Sequence, residues 1–489
     1  MWKAISSNIA YVFNSLYFSS IESGMLTFKR VLFAVLIAST SLSCNSVSST
    51  QNGSLSGTRP QNVIFFISDG CGPASFGLAR EYQKATTGET DLFIDSYLKG
   101  VVQTFSGNHK ITDSAASTTA YSCAIKTYNG AIGLDMNQNP VETVLEAAEK
   151  AGYQTALVST ARITHATPAA FSSHVVSRNM EAEIASQQIG KGIEILMGGG
   201  QSFYLPKEQG GLRLDGRNVM NEAAAAGYTV ATTKSELDAS TSLPLLALFT
   251  SSHMAYEIDR DENAEPSLAE MTDKSLSLLS GAGKPFFIMI EAGRIDHAGH
   301  SNDAAAHIQD VLAYDDAMKV AVAFAEKDKN TLVMGTSDHE TGGLTLGAQW
   351  GTLSGYDYNP QKLTAVHTSI EKFMTEVMQV RQQPDPELAT WIETQSKDQF
   401  GLASDAYQTA IKKLVQYRAV TGDSAAFSHL RKILVDSTAR VARVGWSTGN
   451  HTSVDVPVFA FGPGSELFSA TMDNTEVGEA IFTALGLKK

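Results

Sequence analysis

The sequence predicts an α/β fold, with a mostly parallel central sheet and helices on both faces. Three observations support this fold class. Short apolar runs without polar alternation are typical of parallel strands that are buried on both sides. Segments with helical spacing of apolar residues separate these runs along the chain. Several runs also end in carboxylate or imidazole side chains, as expected where a parallel sheet presents its carboxyl edge to a ligand.

The predicted strands share an uninterrupted apolar sequence. In chain order they are Asn62–Ser68, Gln154–Ser159, Phe286–Ile290, Thr331–Gly335 and Val456–Phe461. Asp69 follows the first strand directly, and acidic and imidazole side chains follow the strand that begins at Phe286. The alternation of strands with helices indicates that most of these strands are parallel.

Helical spacing of apolar residues predicts the intervening helices. The small polar residues from Thr112 to Tyr121 lead into one helix, with Ser114 at its start. Another helix is predicted to begin at Asn139-Pro140 and to end at Gly152. Apolar residues from Ile308 to Val322 share one face of a long helix.

A helical insertion is predicted at about residues 351–445, before the last sheet strand. Thr368 and Glu371 have the spacing of a capping box, and the apolar residues that follow keep helical spacing. The insertion contains no cluster of metal-type side chains. We therefore expect it to cap or pack against the sheet domain and to take no part in chemistry.

Length and composition describe a globular protein. The 489 residues suffice for two or three average domains, or for one large α/β domain with insertions. A net charge of -14 argues against nucleic-acid binding, because neutralising phosphates needs a basic face. Export would permit a disulfide between Cys71 and Cys123, but two cysteines define no framework, and their pairing stays open.

The N-terminal segment resembles an export leader. Lys29 and Arg30 precede the apolar run Val31–Ser39, which is too short to span a bilayer but suits a signal peptide. The residues before Cys44 resemble a relaxed lipoprotein box with Cys44 as the acylated residue, and ordinary secretion fits equally well. We assign residues 1–44 to the leader, 45–61 to a flexible tether and 62–489 to the folded domain. The expected location is the periplasm, or the outer membrane or cell surface for a lipoprotein.

Side chains typical of metal ligands follow several predicted strands. Carboxylate oxygens suit hard divalent cations, and imidazole with carboxylate suits zinc. Because ligands of an open parallel sheet bind beyond the carboxyl ends of its strands, we expect these side chains to converge. They are Asp69, His165, Glu291, Asp296, His300, Asp338, His339 and His451. The alternative, an acidic surface turn after Phe286, is disfavoured because the pattern recurs elsewhere in the chain.

Other positions have a structural and a functional interpretation. Ser114 at a helix start offers free amides and the positive end of the helix dipole to a phosphate. Asp113 or Ser114 as a plain N-cap is the structural alternative. His165 or Arg178 taken singly would more often be structural. Glycines 198–200 suggest a nucleotide loop, but neither Gly-Lys-Ser/Thr nor Gly-x-Gly-x-x-Gly follows, so we reject it.

Together these motifs resemble the alkaline phosphatase family over residue 61 to the C-terminus, apart from the helical insertion. They are Ser68-Asp-Gly70, Thr112-Asp-Ser-Ala-Ala116, His165-Ala-Thr-Pro168, Ser177-Arg178, Glu291 with Asp296-His297 and His300, Asp338-His339 and His451. Their combination is highly specific. The resemblance implies an alkaline phosphatase-like fold and metal-dependent hydrolysis of phosphate monoesters.

The resemblance also implies ligands for three metal ions. The first zinc ion would be bound by Asp296, His300 and His451. The second zinc ion would be bound by Asp69, Asp338, His339 and the Ser114 oxygen. The third ion, usually magnesium, would be bound by Asp69, Thr167 and Glu291. Because His165 and His297 stand where many bacterial members have Asp and Lys, zinc is an alternative for the third site.

The resemblance further implies a covalent mechanism. Ser114 would attack phosphorus and form a phosphoserine, which water then hydrolyses to inorganic phosphate. Two metal ions about 3.5–4 Å apart would stabilise the attacking and leaving oxygens. The forked guanidinium of Arg178 would hold two non-bridging phosphate oxygens. Family members are commonly homodimers, so the resemblance implies a homodimer as well.

Three other functions compete with this one. A sulfatase would carry Cys-x-Pro-x-Arg, whereas Cys71-Gly-Pro-Ala-Ser75 ends in serine. A phosphodiesterase of the same superfamily typically uses threonine and lacks the arginine, so Ser114 and Arg178 favour monoesters. A non-catalytic zinc- or phosphate-binding protein needs no nucleophile, and Ser114 disfavours it. The expected partners are small phosphomonoesters, with a lipid anchor if Cys44 is acylated.

Overall fold

The computed structural model describes residues 59–351, 356–402, 408–409, 411–414, 418 and 422–489. The predicted leader, with Cys44, and residues 45–58 of the predicted tether lie outside these ranges. The described strands, numbered in chain order, are β1 Asn62–Ile67, β2 Leu98–Gln103, β3 Gln154–Arg162, β4 Ile195–Gly199, β5 Thr229–Ala231, β6 Leu245–Leu248, β7 Phe286–Glu291, β8 Thr331–Thr336, β9 Glu340–Thr341, β10 Leu344–Leu346, β11 Val444–Trp446, β12 His451–Thr452, β13 Val456–Phe461 and β14 Ala470–Asp473.

Ten of these strands form one sheet in the order β14-β2-β13-β8-β1-β7-β3-β4-β6-β5. The central strand β1 pairs in parallel with β7 and β8, and β3 pairs in parallel with β4 and β7. All five predicted strands lie in this sheet, which confirms the α/β prediction with a mostly parallel sheet. The strand β13 is antiparallel to its neighbours β8 and β2. It therefore begins at the edge of the sheet where those two strands end.

The described α-helices cover both faces of the sheet. In chain order they are α1 Pro73–Thr87, α2 Ser114–Cys123, α3 Val144–Lys150, α4 Ala166–Ser172, α5 Glu181–Lys191, α6 Val219–Ala225, α7 Lys234–Ala239, α8 Leu268–Gly281, α9 Arg294–Ser301, α10 Ala304–Asp328, α11 Ile370–Val380, α12 Asp385–Phe400, α13 Asp423–Ala442 and α14 Asn474–Leu485. Adjacent residues of β1 face separate cores: Phe65 packs in the core that includes Tyr121 of α2, and Phe66 in the core that includes Met318 of α10. This alternation explains why the strand sequences are apolar throughout.

Two predicted helix starts were wrong. The helix expected at Pro140 begins at Val144, because Thr143 caps it and forms a capping box with Glu146. The helix expected to start with a Thr368–Glu371 capping box is capped by Ser369, whose side chain accepts from the Lys372 amide. The Thr368 hydroxyl donates to Asp259 at 2.9 Å, and Glu371 turns away from the cap.

The helices α11, α12 and α13 share a third core with the sheet domain, in which Phe373 and Leu430 pack with Leu78 and Ile308. The strand β13 follows these helices, and the short edge strand β14 comes after it.

Cys71 and Cys123 are both buried and free, so the described structure does not pair them. No helix within the described ranges has the length and hydropathy needed to cross a membrane.

Candidate metal centre and phosphate site

Strand register brings three carboxylates to one edge of the sheet. In β1, Ile67 is level with Glu291 of β7 and with Thr336 of β8. Asp69 and Asp338 each lie two residues beyond these strand ends, so they emerge side by side next to Glu291. The three side chains are fully buried. Their position at one edge of the sheet is the one that the apolar strands ending in carboxylates predicted.

The first cluster contains Asp296, His300 and His451. His451 Nε2 lies 3.1 Å from His300 Nε2 and 3.6 Å from Asp296 Oδ1. Each imidazole donates its Nδ1 proton to a backbone carbonyl, of Gly449 for His300 and of Thr112 for His451. A neutral imidazole has one N–H, so both Nε2 atoms carry lone pairs. Two lone pairs and a carboxylate facing one another have the donor chemistry of a cation site.

The second cluster surrounds the Nε2 atom of His339. This atom lies 3.2 Å from Asp338 Oδ2, 3.7 Å from Asp69 Oδ1 and 3.1 Å from Ser114 Oγ. Asp338 Oδ1 accepts from the amides of Gly70 and of His339 itself, which fixes the carboxylate and leaves Oδ2 free. The two carboxylates and the hydroxyl of Ser114 therefore surround His339 Nε2.

The third cluster lies deeper, between β1, β3 and β7. Ligand atoms of Asp69, His165 and Glu291 lie within 4.8 Å of one another. Ser159 donates to Glu291 Oε2, while Glu291 Oε1 has no hydrogen-bond partner among the described residues. Thr167 is buried in the first turn of α4, directly after His165.

Unpartnered polar atoms test whether these clusters fit a cation. Six buried side-chain atoms of the site lack a hydrogen-bond partner within the part of the chain that the structure describes. They are Asp69 Oδ1 and Oδ2, His165 Nδ1, Thr167 Oγ1, Glu291 Oε1 and Asp338 Oδ2. Buried polar groups are otherwise almost always hydrogen-bonded. The five oxygen atoms of this set fit hard divalent cations or zinc. His165 Nδ1 carries a proton instead, because His165 Nε2 accepts from Arg178.

Burial moves the pKa values of the site in opposite directions for acids and bases. Burial, reinforced by neighbouring carboxylates, raises the pKa of Asp69 well above its ordinary range. Burial also raises the pKa of Glu291 to about 7 and that of Asp338 to about 6. The imidazoles whose pKa burial lowers well below its usual value are His165, His297 and His339. Neutral imidazoles are the form that binds metal.

Ser114 and Arg178 form the part of the site that suits a phosphate. Ser114 is the first residue of α2, and Asp113 caps this helix by accepting from the Ala116 amide. The N-cap interpretation is therefore confirmed for Asp113, and the phosphate role of Ser114, which lies at the helix start, stays a prediction. Arg178 Nη1 lies 3.2 Å from Asp113 Oδ2, and Arg178 Nη2 lies 2.9 Å from His165 Nε2. Arg178 therefore lies beside Asp113, the residue before Ser114, and beside His165 of the third cluster.

Sequence reasoning missed two neighbours of these clusters. The Thr341 hydroxyl donates to Asp296 Oδ1 at 2.6 Å and lies 3.2 Å from His339 Nδ1, so it joins the first and second clusters. The ring of His253 lies 4.1 Å from that of His297 and 5.4 Å from that of His165. Thr341 follows a predicted ligand by two residues, but nothing in its sequence context indicates a role. His253 lies in a loop without a recognisable motif.

Comparison with known proteins gives a consistent assignment. The alkaline phosphatase family model matches residues 60–487. The alkaline phosphatase of Schizosaccharomyces pombe is 37% identical over 438 residues, covering 86% of this chain and 80% of that protein. Alkaline phosphatase 3 of Bacillus subtilis is 35% identical over 437 residues, covering 87% of this chain and 89% of that protein.

Solved structures agree with these relatives. The structure of Thermus thermophilus alkaline phosphatase matches with a TM-score of 0.77 at 31% identity, covering 88% of this chain and 93% of the other. The cold-active alkaline phosphatase of a psychrophilic Shewanella species matches with a TM-score of 0.75 at 30% identity, covering 88% of this chain and all of the other. The chain therefore belongs to the alkaline phosphatase family.

Proposed function

We propose that this protein hydrolyses phosphate monoesters through a phosphoserine on Ser114, with metal ions as cofactors. Family membership and the metal-type clusters support metal-dependent phosphomonoester hydrolysis. The observation that carries the covalent step is the position of Ser114, at the start of α2 with its Oγ 3.1 Å from His339 Nε2.

Two zinc ions and one magnesium ion are the proposed cofactors, with zinc as an alternative in the third site. The first zinc ion would be held by Asp296, His300 and His451, and the second by Asp69, Asp338, His339 and Ser114. The third ion would be held by Asp69, Thr167 and Glu291, with His165 beside it. When bound, these ions would stabilise negative charge on the attacking and leaving oxygens of an in-line displacement.

The chain's own groups carry the steps of the reaction. Arg178 would hold two non-bridging oxygens of the phosphate, and Asp113, whose Oδ2 lies 3.2 Å from Arg178 Nη1, would orient the guanidinium. Ser114 Oγ would bond to phosphorus as the ester oxygen leaves with the alcohol. The amides of the first turn of α2 would stabilise the negative charge of the phosphoryl group. Water would then displace Ser114 from phosphorus, releasing inorganic phosphate and restoring the hydroxyl.

Monoesters are favoured over diesters by Arg178. A monoester dianion has three non-bridging oxygens that share two negative charges, whereas a diester has two that share one charge and carries a second bulky substituent near the guanidinium fork. A non-catalytic zinc- or phosphate-binding protein is disfavoured because Ser114, the group such a protein would not need, lies against the metal-type cluster.

The proposed organisation includes an exported leader at residues 1–44, a tether at 45–61 and a catalytic domain at 62–489, with the insertion at about 351–445. The location would be periplasmic, or at the outer membrane or cell surface if Cys44 is acylated. We also propose that the protein forms a homodimer. Its proposed substrates are small phosphomonoesters, and it is proposed to bind no nucleic acid. Release of a Cys44→Ala variant from membranes would support the lipid anchor, and unchanged partitioning would exclude it.

The experiment that tests the function is hydrolysis of a generic aryl phosphate by purified protein. A chelator should abolish phosphate release, because the proposed reaction needs the metal ions. Added zinc with magnesium should restore it at a pH at which the ligands are deprotonated, the form that binds metal. Metal analysis of the same samples gives the stoichiometry. Full activity in a metal-free sample would contradict the proposal.

A further inference from the structure

Arg294, the first residue of α9, is a buried cation beside the metal-type clusters. It is only 4% exposed and stands two residues before Asp296. Its Nη2 lies 2.8 Å from Glu371 Oε1, and its guanidinium lies 3.7 Å from the ring centre of Tyr256. A buried charge requires a partner of opposite sign. Among the described residues, the carboxylate that forms this ion pair comes from α11 of the helical insertion.

Arg294 also fixes the hydrogen-bonding state of His297. Its Nη1 lies 3.2 Å from His297 Nδ1. A guanidinium only donates, so His297 Nδ1 must accept, and its proton must reside on Nε2. His297 is therefore a hydrogen-bond donor through Nε2, and it is not among the side chains whose atoms converge into the three metal-type clusters of the described chain.

His297 lies next to the groups that contact phosphate. Its ring centre lies 5.6 Å from that of His165. His165 Nε2 in turn lies 2.9 Å from Arg178 Nη2. Glu371, Arg294, His297 and His165 are thus successive neighbours between the insertion and Arg178, the residue proposed to bind phosphate.

The insertion is anchored so that Glu371 occupies a fixed position. The Ile370 amide donates to Asp303 Oδ2 at 2.7 Å, and the Ser369 amide donates to Asp259 Oδ1 at 2.9 Å. Asp303 is itself the N-cap of α10, which packs against the central sheet. Glu371 remains 55% exposed, so replacing it leaves the core of the insertion intact.

We propose that Glu371 is a positioning residue: as the counter-ion of Arg294, it holds His297 in the Nε2–H form, which donates a hydrogen bond at the phosphate site. The insertion then contributes to the chemistry, contrary to the expectation from its sequence. The kinetic consequence rests on the proposed function, whereas the state of His297 does not.

The test compares Glu371→Gln with Glu376→Gln, the same change on the same helix at a residue whose carboxylate accepts from Gln399 Nε2 at 3.3 Å. Histidine-selective ¹⁵N NMR reports the tautomer of His297, with its signal assigned from a His297→Gln spectrum. Glu371→Gln should lose the pure Nε2–H signature, and Glu376→Gln should keep it. The inhibition constant of inorganic phosphate should rise about three- to thirtyfold in Glu371→Gln alone.

A double-mutant cycle asks whether Glu371 acts through Arg294. In an Arg294→Met background, Glu371→Gln should change the phosphate inhibition constant no further, because the connection is already broken. A wild-type His297 tautomer and an unchanged inhibition constant in Glu371→Gln would overturn the proposal, even if the melting temperature fell. Because the NMR measurement needs no turnover, it remains decisive if the protein hydrolyses no phosphate monoester.

Discussion

His300 and His451 bring their Nε2 atoms within 3.1 Å of each other. Both rings donate through Nδ1 to backbone carbonyls, so two lone pairs face one another beside the carboxylate of Asp296. Two facing lone pairs repel each other unless a cation lies between them. The backbone carbonyls of Gly449 and Thr112 orient the two rings in this way, so they support the proposed metal site. The ring orientation, and not the mere presence of histidines, defines the first cluster.

His451→Ala should therefore remove about one zinc ion per chain and most of the phosphatase activity, because it deletes one of three ligands. The matched control is His367→Ala, which changes an exposed histidine away from the clusters. Elemental analysis of dialysed proteins gives the metal content. A wild-type zinc content in His451→Ala would exclude this residue as a ligand.

Thr341→Val should weaken metal binding about 10- to 100-fold with little change in fold. Valine keeps the shape of threonine but removes the hydroxyl that donates to Asp296 and accepts from His339. Both ligands would lose the hydrogen bond that orients them. Competition with a zinc chelator measures the affinity, and Thr345→Val on the exposed side of β10 is the control. Equal affinities in the two variants would mean that Thr341 does not orient the ligands.

Arg178→Ala should reduce kcat/KM for an aryl phosphate by roughly tenfold to a few hundredfold, since each charge-assisted hydrogen bond is worth about 1.5–3 kcal/mol. Hydrolysis of the methyl diester should fall much less. Arg178→Lys should resemble the alanine variant, because a point charge cannot replace the fork. The measurement is kcat/KM for the aryl phosphate and its methyl diester with wild type, Arg178→Ala and Arg178→Lys. Equal losses on monoester and diester would make Arg178 structural.

The metal-free protein should lose stability with rising pH through Glu291. Burial raises the pKa of this carboxyl from 4.5 to about 7, so its stabilising contribution is complete below about pH 4.5 and lost as the pH rises through 7. Relative to Glu291→Gln, the free energy of unfolding of wild type should fall by on the order of 3 kcal/mol over this window. Denaturant titrations of both metal-free proteins test this, and the comparison cancels the opposite trend of the buried histidines. A flat difference would show that Glu291 is already ionised.

The sequence predicted the central strands because strands buried on both faces are apolar throughout, as β1 and β7 are. It also predicted that Asp69, Glu291 and Asp338 converge, because parallel strands share one carboxyl edge. It could not predict that β13 runs antiparallel, so that the segment just before β13, with His451 in β12, lies at that edge. Strand direction depends on the connection through the insertion, and apolar periodicity carries no information about it.

Local patterns failed where tertiary contacts outweighed them. Thr368 and Glu371 have capping-box spacing, but each side chain has a stronger partner on another element, Asp259 and Arg294 respectively. Thr341 and His253 could not be found because their roles depend on the orientation of rings and hydroxyls. The spacing of residues in a sequence does not encode such orientations.

The most direct test of the central claim is the identity of the phosphorylated residue. Enzyme incubated with labelled substrate and quenched in acid should carry one labelled phosphoserine, at Ser114, when its peptides are sequenced by mass spectrometry. Ser114→Ala should keep its fold and its zinc but acquire no label. A labelled phosphoserine at any other position, or full activity in Ser114→Ala, would contradict the account.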